Sequence, residues 1–117
     1  MTNRLRRRRS APIHSHRAEL ALQTVSLSWG VDPVEIKART RRQTRTCRAR
    51  QVAMYMAHVA LGVSISEVAK AFGRDRKTAS HACRVIEDLR DDPLFDASLQ
   101  AMEIALRRVP LTKGRAR

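Results

Sequence analysis

Aromatic residues are nearly absent from this chain: one Trp, one Tyr and two Phe stand among 117 residues. A core must then be built from Val, Leu, Ile, Ala and Met, which suits a helical bundle. Binding of single strands on stacking platforms is disfavoured, since such platforms are aromatic. Cysteine is scarce as well, Cys47 and Cys83 being the only two. Two thiols are too few for a disulfide scaffold, and no Cys-x-x-Cys pair offers a zinc site. Reduced thiols in a cytoplasmic protein are the simplest reading. No apolar run approaches the roughly 18 residues that a membrane span needs. The N-terminus is basic but no apolar stretch follows it, so a signal peptide is not expected. No internal repeat is visible.

What is abundant is positive charge. The formal net charge is +13, from 24 Lys and Arg against 11 Asp and Glu, with a pI near 11.5. That balance points to nucleic acid, less often to an anionic membrane surface. The length fits one small domain. Charge is also sorted along the chain. Residues 1–17 hold Arg4, Arg6, Arg7, Arg8, Arg9 and Arg17 and no acid. With Pro12 and like charges together, they read as a basic, disordered N-terminal arm. Such an arm follows phosphates or enters a minor groove; the bland alternative is a solubilising tail. Residues 37–50 hold Lys37, Arg39, Arg41, Arg42, Arg45, Arg48 and Arg50, again without an acid. These cations repel one another unless phosphates are the partner. Glu87, Asp88, Asp91, Asp92, Asp96 and Glu103 gather late in the chain, where a polyanion binder should hold them away from its ligand.

Helical spacing organises residues 18–109 as one domain, followed by a basic tail over 110–117. Ala18, Ala21, Leu22, Val25 and Trp29 share one face of a first helix over 18–29, stopped by Gly30. Trp29 is expected to anchor that corner of the core. Asp32-Pro33 starts a short helix with Val34 and Ile36 inward. Residues 37–50 read as a loop running into a helix. A long helix over 50–61 turns Val52, Tyr55, Met56, Val59 and Ala60 inward, and Gly62 ends it. After Asp92-Pro93, a last helix over 94–109 buries Leu99, Met102, Leu106 and Val109.

The centre of the chain carries the sharpest pattern. Ser64, Ile65, Ser66 and Glu67 form a Ser-x-x-Glu capping box, with Val63 and Val68 placed as a hydrophobic staple. Ile65, Val68, Ala69 and Phe72 repeat on one helical face, and Gly73 ends the helix. Asp75 is placed to cap the next helix, where Ala79, Ala82, Cys83, Ile86 and Leu89 form a second stripe. Its other face holds Arg76, Lys77, Ser80 and Arg84. Two short helices with a Gly-containing turn are a helix-turn-helix, whose second helix enters the DNA major groove.

Four words stand in order: Arg50-Gln51-Val52-Ala53-Met54-Tyr55-Met56, Ser64-Ile65-Ser66-Glu67-Val68, Ala71-Phe72-Gly73-Arg74-Asp75, and His81-Ala82-Cys83-Arg84-x-Ile86-Glu87. They resemble the C-terminal DNA-binding domain (domain IV) of the bacterial replication initiator DnaA, over roughly residues 18–106. The resemblance implies an all-α fold, a small helical bundle containing a helix-turn-helix (TrpR-like). It implies that a basic-loop arginine enters the minor groove, Arg42 matching best and Arg41 next. It places Arg50 and Gln51 on phosphate, and His58 where a phosphate-contacting lysine is frequent. The family's Ser-Leu-Pro-Glu is here Ser64-Ile65-Ser66-Glu67, a helix start still suited to an anion.

The largest departure lies where the family reads bases. Its Phe-Gly-Gly-Arg-Asp-His-Thr-Thr becomes Phe72-Gly73-Arg74-Asp75-Arg76-Lys77-Thr78 here. One Gly is missing, which shortens the turn, and Arg76 and Lys77 replace His and Thr. Carboxylate accepts from cytosine N4, Thr touches a thymine methyl, and Arg or Lys prefers guanine O6 and N7. The expected DNA contacts are Arg41, Arg42, Arg45, Arg48, Arg50, Gln51, Ser64, Ser66, Arg74, Asp75, Arg76, Lys77, Thr78 and His81. A Gly-x4-Gly-Lys-Ser/Thr loop is absent from these residues, so a free-standing module without the initiator's ATPase domain is expected.

No enzyme is expected, and no cofactor or metal. His14, His16, His58 and His81 show no ligand spacing with the cysteines, and His81 and Cys83 point to different faces of one helix. The expected partner is duplex DNA, bound by a bacterial transcription or replication regulator in the nucleoid. Two alternatives remain open: a basic RNA- or nucleoid-associated structural protein, and an adaptor meeting a protein partner through its acidic late helices. Duplex DNA of one sequence outcompeting bulk RNA separates the first alternative from sequence-specific binding.

Overall fold

Helix α1 spans Pro12–Trp29 in a computed structural model that describes residues 12–38 and 44–110. It begins six residues before the expected start at Ala18. Proline is tolerated in the first turn of a helix, where its missing N–H is no loss. Arg17, expected in an unfolded arm, lies within α1 and donates from Nη1 to the Leu61 carbonyl at 3.2 Å. Residues 1–11 and 111–117 of the expected arm and tail lie outside the described residues. Ala18, Ala21, Leu22 and Val25 are buried as expected. Gly30, at φ 66°, turns the chain out of α1.

Helix α2, Pro33–Lys37, is capped by Asp32, whose carboxylate accepts from the Val34 N–H at 2.8 Å. Ile36 is fully buried, whereas Val34 is 73% exposed. The inward expectation for Val34 is thus corrected: residues two apart lie on different sides of a helix, and this short helix has one inward position.

Helix α3, Thr44–Tyr55, is the central strut and runs directly into a π-helical turn, Met56–Ala60. It packs between α1 and α5. Val52, Ala53, Met54, Tyr55, Met56 and Ala57 are all buried. In the π turn the Leu61 N–H reaches back to the Met56 carbonyl, five residues away instead of four. That extra residue shifts the phase, and Val59, expected inward, faces solvent.

Helix α4 is Ile65–Ala71 and helix α5 is Arg76–Leu89. Ser64 caps α4 by accepting from the Glu67 N–H, and Val63 and Val68 are both fully buried, as the staple requires. Helix α6, Pro93–Arg108, is capped by Asp92 and buries Leu99, Met102 and Leu106. Val109 follows the end of α6 with extended backbone and is exposed, which corrects its expected inward place. All elements among the described residues are helical.

One polar network joins α3, α5 and α6. Arg90 donates to Asp96 at 2.5 Å, to Glu103 at 2.8 Å and to the Tyr55 hydroxyl at 3.1 Å. That hydroxyl donates to Glu87 at 2.6 Å. The Glu103 bond, ahead of those from Asp96 and Tyr55, holds the Arg90 guanidinium charged well above its ordinary range despite burial. Two of the late acids, Asp96 and Glu103, are therefore counter-ions of Arg90, and a third, Glu87, accepts from Tyr55.

Candidate nucleic-acid interface

The turn between α4 and α5 presents the interface. Phe72 is the last near-helical residue, and Gly73 takes a left-handed φ of 65°. The Gly73 N–H meets the Lys70 carbonyl at 3.2 Å and the Arg74 N–H meets the Ala69 carbonyl at 2.8 Å. This is the Schellman pair, which satisfies carbonyls that the helix end leaves open. A single glycine thus closes the shortened turn completely.

Asp75 then caps α5, its Oδ1 accepting from the Thr78 N–H at 2.8 Å. The Thr78 bonds, backbone first and then side chain, hold the Asp75 carboxyl below its ordinary range. Asp75, Arg76, Lys77 and Thr78 are all exposed. Neither Arg76 nor Lys77 forms a hydrogen bond or salt bridge among the described residues. Ala79, Ala82 and Ile86 lock the opposite face of α5 into the core. Cys83 lies half-buried on that side, and burial pushes its thiol up to about 11, which keeps it protonated and unreactive at neutral pH.

An open groove of about 710 Å³ runs between α3 and this turn, with Cys47, Gln51, Gly73, Asp75, Thr78 and His81 among its walls. It gathers Arg50, Gln51, Arg74, Asp75, Thr78 and His81 from the expected set. Arg48 stands beside it and donates to the Gln51 amide oxygen at 2.7 Å, orienting that side chain. Ser64 and Ser66 sit at the start of α4, the Ser64 hydroxyl engaged in its cap. His58, half-buried, meets the Val63 carbonyl at 2.7 Å, a contact within its own chain.

Two of the expected DNA contacts are also bonded within the chain. Arg50 is only 6% exposed. Its Nε donates to the Ile36 carbonyl at 2.5 Å and its Nη2 to the Ala38 carbonyl at 2.9 Å. Arg74 donates from Nη2 to the same Ala38 carbonyl at 2.8 Å and from Nη1 to the Phe72 carbonyl at 2.9 Å. Both guanidiniums donate to backbone carbonyls, and Arg50 Nη1 also meets the Cys47 sulfur at 3.7 Å. Arg45 leans back over Trp29, its guanidinium 5.2 Å from the ring centroid and donating to the Trp29 carbonyl. Trp29, half-buried, packs against the core as expected and also carries Arg45 over its ring. Arg41 and Arg42 lie outside the described residues. The role of the Ala38 carbonyl left no signal in the sequence, because any residue supplies that atom.

The pattern of capped helices, tight turn and exposed basic helix start matches a known family. The model of the bacterial dnaA protein helix-turn-helix matches residues 18–86. The chain belongs to that family. Over 83 residues it is 35% identical to the chromosomal replication initiator protein DnaA of Azoarcus sp. (strain BH72), covering 67% of this chain and 17% of that protein. It is 45% identical over 53 residues to the DnaA of Psychromonas ingrahamii, covering 44% of this chain and 12% of the relative. The chain thus spans under a fifth of either initiator. The α4–α5 unit is the DNA-binding helix-turn-helix of the DnaA family, all-α as expected. Among the described residues no three His, Cys, Asp or Glu side chains group to hold a metal, and no helix is long and apolar enough to cross a membrane.

Proposed function

We propose that this chain binds duplex DNA sequence-specifically and acts as a bacterial transcription or replication regulator on the nucleoid. The N-terminal turn of α5 enters the major groove, where such turns meet base edges. Arg76 and Lys77 read guanines, and Thr78 and His81 flank them. Gln51 and Arg48 approach the backbone from α3, with Arg45 released from Trp29 toward phosphate. Arg41 and Arg42 reach the neighbouring minor groove. The observation that carries this reading is the pair Arg76 and Lys77, exposed at the start of α5 and making no hydrogen bond or salt bridge among the described residues. Cations there add to the positive end of the helix dipole, an arrangement suited to an anionic ligand.

Selection of bound duplexes from a random pool tests the reading, with the unaltered chain and the Arg76→His, Lys77→Thr double variant run side by side. If the pair reads bases, the double variant selects different sequences and loses guanines at one or two adjacent positions. A good bidentate contact gives roughly 1–3 kcal/mol of discrimination. An unchanged motif bound more weakly assigns the pair to phosphate instead. Bulk RNA competing as well as the selected duplex favours a general RNA- or nucleoid-coating protein. The protein-adaptor alternative is weakened by Glu87, Asp96 and Glu103, which are bound to Tyr55 and Arg90.

A further inference from the structure

We infer that Arg74, seconded by Arg50, is a positioning residue for recognition: it fixes the base-reading turn of α5 against α3 through the Ala38 carbonyl, and acts without touching DNA. The inference rests on the proposed base readout by α5. Arg74 stands one residue before Asp75, the cap of α5. Its guanidinium spans from the Phe72 carbonyl, at the end of α4, to the Ala38 carbonyl, at the exit of α2. Arg50 comes to that same oxygen from α3, while its Nε holds the Ile36 carbonyl. One backbone oxygen thereby receives a donor from the strut helix and a donor from the entry to the recognition helix. The chain changes direction at Gly73, whose left-handed backbone has no atom within 4 Å of where a Cβ would stand. The core packing of Ala79, Ala82 and Ile86 holds the body of α5, and the Arg74 fork adds a tie at its entry, just beyond that glycine. A planar guanidinium suits this task because its donors are fixed in one fork. Base readout tolerates little drift, since binding constellations lose function when held about 1 Å too loosely.

The test uses Arg74→Lys in the full chain. Lysine keeps the charge but offers a single point donor and cannot span two carbonyls as the fork does. Affinity for the selected duplex and for a scrambled duplex is measured across salt, with the active fraction fixed by stoichiometric titration. The expected result is a roughly tenfold fall in the ratio of the two affinities, about one base contact. Scrambled-duplex affinity and the salt slope should stay within error. Arg76→Ala should cost less discrimination in the Arg74→Lys background than alone, because the pair acts as one unit. Should Arg74→Lys unfold, Arg74→Gln, neutral but still a planar donor, carries the same cycle. An unchanged ratio, additive costs, or a salt slope that falls by about one phosphate in Arg74→Gln and is restored by Lys would each overturn the inference. No preference for any duplex by the unaltered chain would instead overturn the base-readout reading beneath it.

Discussion

Arg90 donates to the hydroxyl of Tyr55 at 3.1 Å, across 35 residues of sequence. The guanidinium also lies 5.8 Å from the centre of the Tyr55 ring. The pair fastens the C-terminal end of the recognition helix to the central strut α3. It does so at the opposite end of α5 from Arg76 and Lys77, so the helix is anchored at its far end and exposed at its near end. Glu87, Asp96 and Glu103, half of the acids that gather late in the chain, hold this anchor.

Tyr55 is the only tyrosine in the chain, so a spectrophotometric titration reports it alone. Burial, then the bond to Glu87, push its phenol from 10.0 up to about 12. A raised folded value means the contribution to stability is complete below pH 10 and lost as pH rises through about 12. The tyrosinate absorbance of the folded protein should therefore rise near 12, and in denaturant near 10. In Glu87→Gln the folded midpoint should move down yet stay above 10, because burial is the larger cause. A folded midpoint at 10 would show the phenol open to water.

Arg90→Met, at the C-cap of α5, should be among the costliest single changes in the chain. Asp96 and Glu103 would lose their shared cation, with side-chain exposures of only 32% and 12%. Breaking one partner of such a buried cluster costs about 3–5 kcal/mol. Urea denaturation checks it, and a loss under about 1 kcal/mol would mean that water compensates the acids in place.

The cap of α5 makes an acid-side prediction. The folded Asp75 carboxyl lies below its ordinary 3.8. Stability from a lowered carboxyl is present above the unfolded value and lost as pH falls through the folded one. The stability gap between the unaltered chain and Asp75→Ala should thus be full at neutral pH and shrink only below 3.8. Thermal melts from pH 7 downward decide it; a gap independent of pH would remove the charged cap from the account.

Gly73→Ala should destabilise by about 1–2 kcal/mol, the cost of a left-handed backbone for an L side chain. No neighbour stands within 4 Å of the new Cβ, so the loss is conformational and not steric. Gly73→Asn should lose less, because Asn accepts this conformation at helix ends. Equal losses in denaturant titrations would point to crowding instead.

Much of this fold is legible in local chemistry. Asp32, Ser64, Asp75 and Asp92 each cap the helix they precede, because a cap depends on residues two or three positions away. The buried stripes of α4, α5 and α6 follow from spacing alone. The start of α3 at Thr44 was hidden: its first turns are polar, and the side chains it buries include Thr46 and Arg50. Val59 was misplaced because the π turn breaks the period on which its inward place rested. Arg50 and Arg74 look like surface cations in the sequence. Their carbonyl partners belong to residues 36, 38 and 72, and backbone oxygens leave no mark in composition.

Helix α5 is also an electrical object. It opens on Arg76 and Lys77 and closes near Glu87 and Asp88 over 14 residues, about 20 Å at 1.5 Å per residue. The Asp75 cap, Arg84 and the C-cap Arg90 oppose this order, Arg90 being paired with Asp96 and Glu103. The remaining side-chain charges add to the peptide dipole, where most helices arrange theirs to offset it. In the falling field outside a polyanion such a rod feels a torque as well as a pull. It swings its N-terminal end inward while contact is still some ångströms away, like a needle aligning before it touches. Encounters would then arrive already oriented, and dissolved salt, by shortening the field to roughly 8–10 Å, would blunt the orientation before it blunts the bound complex.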